Sequence, residues 1–186
     1  MIIHRPFVMM YFPRYLRFTA CLFLILSLAS SCIREKLVLG EDRISVGDYL
    51  PEFEVSVNDG RQISTSDLSG KISVIVFFNT DCPDCRQLMP EIQKLYEMYS
   101  DAGDIVILAV SREQDYESVS GYWGKNNYSI PFSAQDGRQV YELFAMSGIP
   151  RVYIADSGLV VRSVFTDNNL PAVGDISRII ENLRDL

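Results

Sequence analysis

A strand-like segment that runs directly into two closely spaced cysteines is the feature that most constrains this chain. Residues 72–78 are nearly all apolar and mostly β-branched or aromatic, which predicts a strand covered on both faces. A short polar turn follows, and an amphipathic helical pattern begins at Cys82-Pro-Asp-Cys85. We therefore expect both sulfurs to lie at the junction between a buried strand and a helix.

Two cysteines separated by two residues at such a junction are typical of a dithiol redox site. In the first turn of a helix, Cys82 would face unpaired backbone N–H groups and the positive end of the helix dipole, which stabilise a thiolate. Pro83 occupies the first helical position, where a missing N–H costs little. The carboxylates of Asp81 and Asp84 oppose the thiolate by like-charge repulsion. Cys82 is the predicted attacking thiol, and Cys85 is predicted to resolve the mixed disulfide.

The first 32 residues predict a secretory signal that does not belong to the folded domain. Two arginines precede a ten-residue apolar run, 20–29, and small residues follow up to Cys32. Ten apolar residues are too few to span a bilayer as a mature helix. The end of the signal resembles the lipobox of bacterial lipoproteins, with Cys32 as the lipidated residue, although Ala29 stands where leucine is usual. Ordinary signal cleavage that leaves Cys32 as a free thiol is the alternative.

The predicted mature part is acidic and holds one close cysteine pair. Residues 33–45 predict a polar tether, and 46–186 predict one folded domain. The signal contains three of the 17 basic residues and none of the 24 acidic ones, so the remainder carries 14 basic side chains and a net charge of −10. Such a surface does not favour nucleic acid or anionic lipid. A single pair, Cys82 and Cys85, also excludes a disulfide-stapled scaffold.

The hydrophobic pattern alternates between strand and helix periods along the domain. Alternation in 53–57 and 61–64 around turn residues predicts a β-hairpin. A helix to about residue 100 follows the dithiol, and 105–110 predicts a second buried strand. Further elements are predicted as a helix from Ser111 with a capping box to Gln114, a short helix over 136–145, antiparallel strands over 151–155 and 159–165, and a terminal helix striped by Ile176, Ile179, Ile180 and Leu183. The order predicts an α/β fold with a central mixed sheet flanked by helices on both faces.

Four motifs occur in a fixed order along 46–183. They are Val46-Gly-Asp-Tyr-Leu-Pro-Glu-Phe53, Leu68-Ser-Gly-Lys71 before the first core strand, Cys82-Pro-Asp-Cys85 with Pro90 five residues beyond, and Gly148-Ile149-Pro150. Together they resemble the thioredoxin superfamily and, within it, the extracytoplasmic TlpA/ResA-like thiol–disulfide oxidoreductases. The resemblance implies a thioredoxin-like fold with an N-terminal β-hairpin extension, no bound cofactor and no metal.

The resemblance also implies how substrates and electrons arrive. In that family Pro150 would be cis, and the backbone of Ile149 would face an extended substrate chain beside the attacking sulfur. The substrates would be protein thiols and disulfides. A reductase on the periplasmic side, lipid-anchored to a bacterial membrane, would draw electrons from a membrane donor such as a DsbD- or CcdA-like partner.

Three positions depart from the family pattern. Asp81 stands where an aromatic residue is usual, Val76 replaces the buried acid of thioredoxins, and Leu88 replaces the glutamate of many ResA-like proteins. The sequence therefore does not identify the proton acceptor for Cys85, and we expect water or Glu91 to serve. With two acids beside the attacking sulfur, the dithiol is expected to be more reducing than a strong oxidant.

Other interpretations of the cysteine pair fit the residues less well. A zinc half-site lacks a second pair, and the sole histidine, His4, lies in the signal. A static disulfide would close too short a loop to stabilise much. A thiol peroxidase of the same fold would need a Pro-x-x-x-Thr-x-x-Cys pattern, which Asn79-Thr-Asp-Cys82 does not provide. A non-catalytic binding module that keeps the fold is a further alternative.

Overall fold

The computed structural model describes residues 42–185, which form a five-stranded mixed sheet with helices and a separate hairpin. The strands of the main sheet lie in the order β5-β4-β3-β6-β7, with β3, β4 and β5 parallel and β6 and β7 antiparallel to their neighbours. In chain order the elements are β1 (Glu54–Ser56), β2 (Gln62–Ser64), a 3-10 helix (Thr65–Leu68), β3 (Ile72–Phe78), α1 (Pro83–Tyr99), β4 (Ile105–Ser111), α2 (Tyr116–Asn126), β5 (Phe132–Ser133), α3 (Tyr141–Phe144), β6 (Arg151–Ala155), β7 (Val161–Phe165) and α4 (Val173–Arg184). The predicted thioredoxin-like α/β fold with an N-terminal hairpin is confirmed.

The central strand β3 is buried on both faces because its side chains alternate between two hydrophobic clusters. Val74, Val76 and Phe78 pack in the cluster that contains residues of α1, α2 and α4. Ile75 and Phe77 pack in the cluster that contains residues of the hairpin, the 3-10 helix and α3. Helices thus lie on both faces as predicted, but the three long ones share one face, and the hairpin completes the other.

Part of the predicted N-terminal organisation lies outside the described residues. This holds for the signal, for Cys32 and for residues 33–41 of the tether. The last four residues of the predicted tether, 42–45, contact the domain. The N–H groups of Arg43 and Ile44 donate to the Phe144 carbonyl at 2.9 and 3.1 Å. Within 42–185, no helix is long and apolar enough to cross a membrane.

The helix predicted to start at Ser111 starts at Tyr116, and the predicted capping box is wrong. Ser111 is the last residue of β4, paired with Phe78 of β3, and its hydroxyl accepts the Gln135 N–H at 2.8 Å. Strand pairing therefore holds Ser111 in the sheet. Asp115 caps α2 instead, because its carboxylate accepts the Ser118 N–H at 2.7 Å.

Two further boundaries differ from the predictions. The helix expected over 136–145 is the single turn Tyr141–Phe144, and the two-residue strand β5 before it was not predicted. Strand β7 begins at Val161 and not at Leu159, since Leu159 takes a left-handed backbone conformation (φ 66°) in the preceding turn.

Candidate active site

The two cysteines lie at the N-terminus of α1, as the sequence predicts. Cys82 is the N-cap residue with an extended backbone, and Pro83 is the first helical residue. The Cys82 N–H donates to the Asn79 carbonyl at 3.1 Å, which closes the turn between β3 and α1. Both cysteines are free thiols; Cys82 is half-buried, whereas Cys85 is only 1% exposed. One sulfur is thus accessible, and the other lies one turn deeper.

The loop before β6 meets the accessible sulfur. The Ile149–Pro150 peptide bond is cis, as the resemblance implies. The Cys82 thiol lies 3.6 Å from the Ile149 carbonyl oxygen and donates to it. The structure therefore brings together Cys82, Ile149 and Pro150, which the family resemblance implies as one site.

Burial dominates the electrostatics of the deeper cysteine. It raises the pKa of the Cys85 thiol well above its ordinary value. A hydrogen bond from the Asn79 backbone and the positive charge of Arg112 act in the opposite direction, and the neighbouring Cys82 adds to the rise in pKa. Cys85 is therefore a neutral thiol near pH 7.

The two acids beside Cys82 differ in their surroundings. Asp81 is 86% exposed and lies 3.5 Å from the guanidinium of Arg86, which also donates to the Thr80 carbonyl at 2.6 Å. Asp84 is exposed in the first turn of α1. Sequence reasoning did not single out Arg86, and it partly offsets the negative charge that the sequence places beside the sulfur.

Glu91, one of the expected proton acceptors for Cys85, is engaged elsewhere. Its carboxylate accepts from Lys94 at 2.6 Å and from the Val173 N–H at 3.1 Å, where α4 begins. The bond from Lys94 is the main cause of its lowered pKa, followed by that from Val173. Six residues of helix separate it from Cys85, about 9 Å along the axis. The expectation that Glu91 serves Cys85 is not supported, which leaves water.

Sequence reasoning missed the contacts that hold the turn before the dithiol. The buried Gln114 amide accepts the Thr80 N–H at 2.7 Å and donates to the Thr80 hydroxyl at 2.6 Å. The Asn79 amide donates to the Arg112 carbonyl at 3.0 Å. The available signal was that these polar residues follow the carboxyl ends of β3 and β4, which meet at one sheet edge because the strands are parallel.

Among residues 42–185, no three histidine, cysteine or acidic side chains are placed so that they could hold a metal ion. The arrangement at the head of α1 instead offers two thiols and a backbone carbonyl. These groups can exchange disulfides without any further group.

The Redoxin family model matches residues 45–179, which include both cysteines and the loop before β6. The chain belongs to the Redoxin family. Curated relatives are thiol-disulfide oxidoreductases named ResA. The protein from Geobacillus thermodenitrificans is 24% identical over 89% of this chain and 94% of the relative. The protein from Bacillus subtilis is 25% identical over 78% of this chain and 82% of the relative.

Solved structures show the same fold in this Redoxin family member. A thiol:disulfide interchange protein of the thioredoxin family from Chlorobium tepidum superposes with a TM-score of 0.65 at 20% identity, covering 75% of this chain and 97% of that one. A secreted thiol-disulfide isomerase from Corynebacterium glutamicum superposes with a TM-score of 0.62 at 19% identity, covering 74% and 86%. The family model and the relatives confirm the resemblance to TlpA/ResA-like thiol–disulfide oxidoreductases, and the solved structures confirm the thioredoxin-like fold.

Proposed function

We propose that this chain reduces disulfides in protein substrates through the Cys82–Cys85 dithiol. The observation that carries the proposal is the arrangement of three groups. Cys82 is half-buried at the N-terminus of α1, its sulfur lies 3.6 Å from the Ile149 carbonyl, and the Cys85 thiol is buried one turn further along the helix. In this proposal an extended substrate chain pairs with the Ile149 backbone beside the attacking sulfur.

The exchange takes two steps that balance without a bound cofactor. The Cys82 thiolate attacks one sulfur of the substrate disulfide, the S–S bond breaks, and the leaving sulfur takes a proton. Cys85 then loses its proton to water and attacks the Cys82 sulfur of the mixed disulfide. The substrate leaves as a dithiol with two electrons, and the chain is left as the Cys82–Cys85 disulfide.

The order of the two sulfurs follows from their surroundings. Burial keeps Cys85 protonated and away from substrate in the free enzyme, since the pKa of that thiol is raised. Cys82 lies at the N-terminus of α1, and its sulfur is the one that a protein disulfide can reach. The direction proposed is reduction: strongly oxidising dithiols are those whose reduced form is stabilised, and here two acids, Asp81 and Asp84, lie beside Cys82.

We place this activity outside the cytoplasm, with the chain anchored by lipid at Cys32 and supplied with electrons by a membrane partner of the DsbD or CcdA kind. The signal-like pattern over 1–32 supports export. A relative described as secreted and relatives named ResA are consistent with it. Electrons must be supplied because each substrate reduced leaves one oxidised dithiol.

Reduction of insulin by the full-length protein with dithiothreitol as electron source tests the activity. Wild type is expected to accelerate it, and Cys82→Ser is expected to abolish the acceleration. Rapid turnover of hydrogen peroxide by Cys82 would instead identify a peroxidase, and a sluggish Cys82 thiol would identify a binding module. A reduction potential near that of thioredoxin, about −270 mV, supports reduction, whereas a value about 100 mV or more higher contradicts that direction.

A further inference from the structure

The loop that meets Cys82 is held by side chains that bind its backbone carbonyls. The Arg151 guanidinium donates to the Ser147 carbonyl from Nε at 3.0 Å and from Nη2 at 2.7 Å, and Nε also lies 3.3 Å from the Gly148 carbonyl. The Tyr141 hydroxyl donates to the same Gly148 carbonyl at 2.6 Å. The carbonyls immediately before Ile149 therefore have fixed directions.

The carbonyls at both ends of this stretch are bound as well. The guanidinium of Arg138 donates to the Met146 carbonyl at 2.7 Å, and the Cys82 thiol binds the Ile149 carbonyl. Four consecutive carbonyls, 146–149, thus each accept from a side chain. A loop outside helix and strand ordinarily leaves such groups to water. Here only the last carbonyl faces the reactive sulfur.

Arg151 is an unexpected residue at its position in the sheet. It is 1% exposed, lies in strand β6 opposite Phe77 of β3, and is followed by the apolar Val152. Burying a guanidinium is unfavourable unless it is paired and fully hydrogen-bonded. Asp42, the first described residue, supplies the opposite charge to Nη1. An apolar side chain could fill this position in the strand without the cost of burying a charge. Packing in the sheet therefore does not explain the guanidinium, whereas its bonds to the loop do.

We propose that Arg151 and Tyr141 are positioning residues for substrate docking. By fixing the Ser147 and Gly148 carbonyls, they hold the backbone of Ile149 beside the Cys82 sulfur, where an extended protein substrate pairs with it. This inference rests on the proposed function and deepens it. Both side chains are argued to act through the loop backbone that they bind. Protein substrates pair with the loop backbone, so their reaction depends on these two side chains. Small disulfides do not pair with the loop, so their reaction should not depend on them.

The test compares two disulfides of different size in the reduced full-length protein. Insulin presents a polypeptide backbone, and cystamine presents none. Tyr141→Phe removes the hydroxyl that binds the Gly148 carbonyl. Tyr153→Phe is the matched control, because the Tyr153 hydroxyl donates at 3.2 Å to the Phe144 carbonyl, outside the loop. Arg151→Met keeps most of the length of the side chain and removes both bonds to Ser147.

We expect Arg151→Met to lower the rate constant for insulin reduction about ten-fold or more, and Tyr141→Phe to lower it about three-fold. The reason is that small misplacements of reacting groups slow a reaction strongly. Tyr153→Phe should reduce insulin with a rate constant within about two-fold of wild type. All three variants should also stay within about two-fold of wild type in the rate of cystamine reduction and in the rate of Cys82 alkylation. Equal losses with both disulfides would overturn the inference, because they indicate a general structural defect. So would an unchanged insulin rate in Tyr141→Phe.

Backbone dynamics separate this inference from the proposed function. If wild type fails to reduce insulin, the proposed function is refuted, and backbone order parameters from NMR relaxation still decide the role of the two side chains. Lower order parameters confined to the segment 147–149 are expected in Tyr141→Phe and absent in Tyr153→Phe. Unchanged order parameters in that segment would overturn the positioning role whether or not insulin is a substrate.

Discussion

The Cys82 sulfur lies 3.6 Å from the carbonyl oxygen of Ile149, a residue 67 positions further along the chain. The sheet brings the two together. Strands β3 and β6 are antiparallel neighbours, with Phe77 opposite Arg151, so the end of β3 and the start of β6 meet at the same edge. The helix that follows β3 and the loop that precedes β6 therefore share that edge. Their meeting point is the proposed site of exchange.

The first prediction concerns the charges of Asp81 and Asp84. Both carboxylates are exposed beside Cys82, so they should repel anionic disulfides and attract cationic ones. The double substitution Asp81→Asn with Asp84→Asn should raise the rate with oxidised glutathione, relative to cystamine, by about three- to ten-fold at low salt. At about 1 M salt, where screening is strong, the variant and wild type should have nearly the same ratio of the rate with oxidised glutathione to the rate with cystamine.

The matched control for this prediction is Asp101→Asn. Asp101 is also exposed, but it lies beyond the C-terminus of α1, the opposite end of a 17-residue helix. Asp101→Asn changes the net charge by one, as Asp81→Asn and Asp84→Asn each do, and it is compared with those single variants. An equal change in the ratio with Asp101→Asn would show that overall charge, and not the local carboxylates, selects between the two disulfides.

The second prediction concerns Gly148 in the docking loop. Its φ is +78°, and a Cβ there would lie 3.3 Å from Nη2 of Arg151. Gly70 has nearly the same φ, +79°, but a Cβ there meets nothing within 4 Å. Gly70→Ala should cost about 1–2 kcal/mol for the left-handed backbone alone. Gly148→Ala should cost more in urea unfolding and should also slow insulin reduction; equal costs and full activity would contradict the crowding at Arg151.

The third prediction concerns the pH dependence of stability. Because the pKa of Cys85 is raised in the folded state, the unfolded chain loses a proton near the ordinary thiol value of about 9 while the folded chain keeps it. Stability should therefore fall as pH rises above that value, by up to about 1.4 kcal/mol per pH unit from this group. Urea unfolding between about pH 8 and 10 under reducing conditions measures the slope. Cys85→Ser should show a shallower decline, and parallel curves would refute the effect of burial.

The fourth prediction concerns Gln114, which holds the turn before the dithiol. Gln114→Ala leaves the buried N–H and hydroxyl of Thr80 without these partners, which should cost about 1–3 kcal/mol. Gln62 is the control, because its exposed amide donates to the exposed Ser56 hydroxyl at 2.8 Å. Gln62→Ala should stay within about 0.5 kcal/mol of wild type in urea unfolding. A similar loss in the free energy of unfolding for both variants would mean that the Thr80 contacts stabilise the fold no more than an exposed hydrogen bond does.

Much of the fold could be predicted because its signals are local. The apolar run of β3, the turn chemistry between β1 and β2, and the stripe of α1 are each contained in a few neighbouring residues. The position of the dithiol follows from the same local pattern. Its meeting with Pro150 was predicted through family resemblance, since no periodicity connects residues so far apart.

The missed features depend on partners that are distant in the chain. Arg151 looks like a strand residue until Asp42, 109 positions away, is placed beside it. Gln114 and Thr80 are 34 positions apart. The capping box predicted at Ser111 was wrong for a related reason: pairing with Phe78 extends the strand through that residue. Tertiary contacts therefore decided these positions, and local propensity did not.

Capture of the mixed disulfide tests the central claim most directly. In Cys85→Ser the resolving thiol is absent, so the bond between Cys82 and the substrate should accumulate when the full-length protein reacts with insulin. Peptide mass spectrometry is expected to find insulin attached to Cys82 in this variant and no insulin adduct in Cys82→Ser. An adduct on Cys85 in Cys82→Ser, or none on Cys82 in Cys85→Ser, would contradict the account.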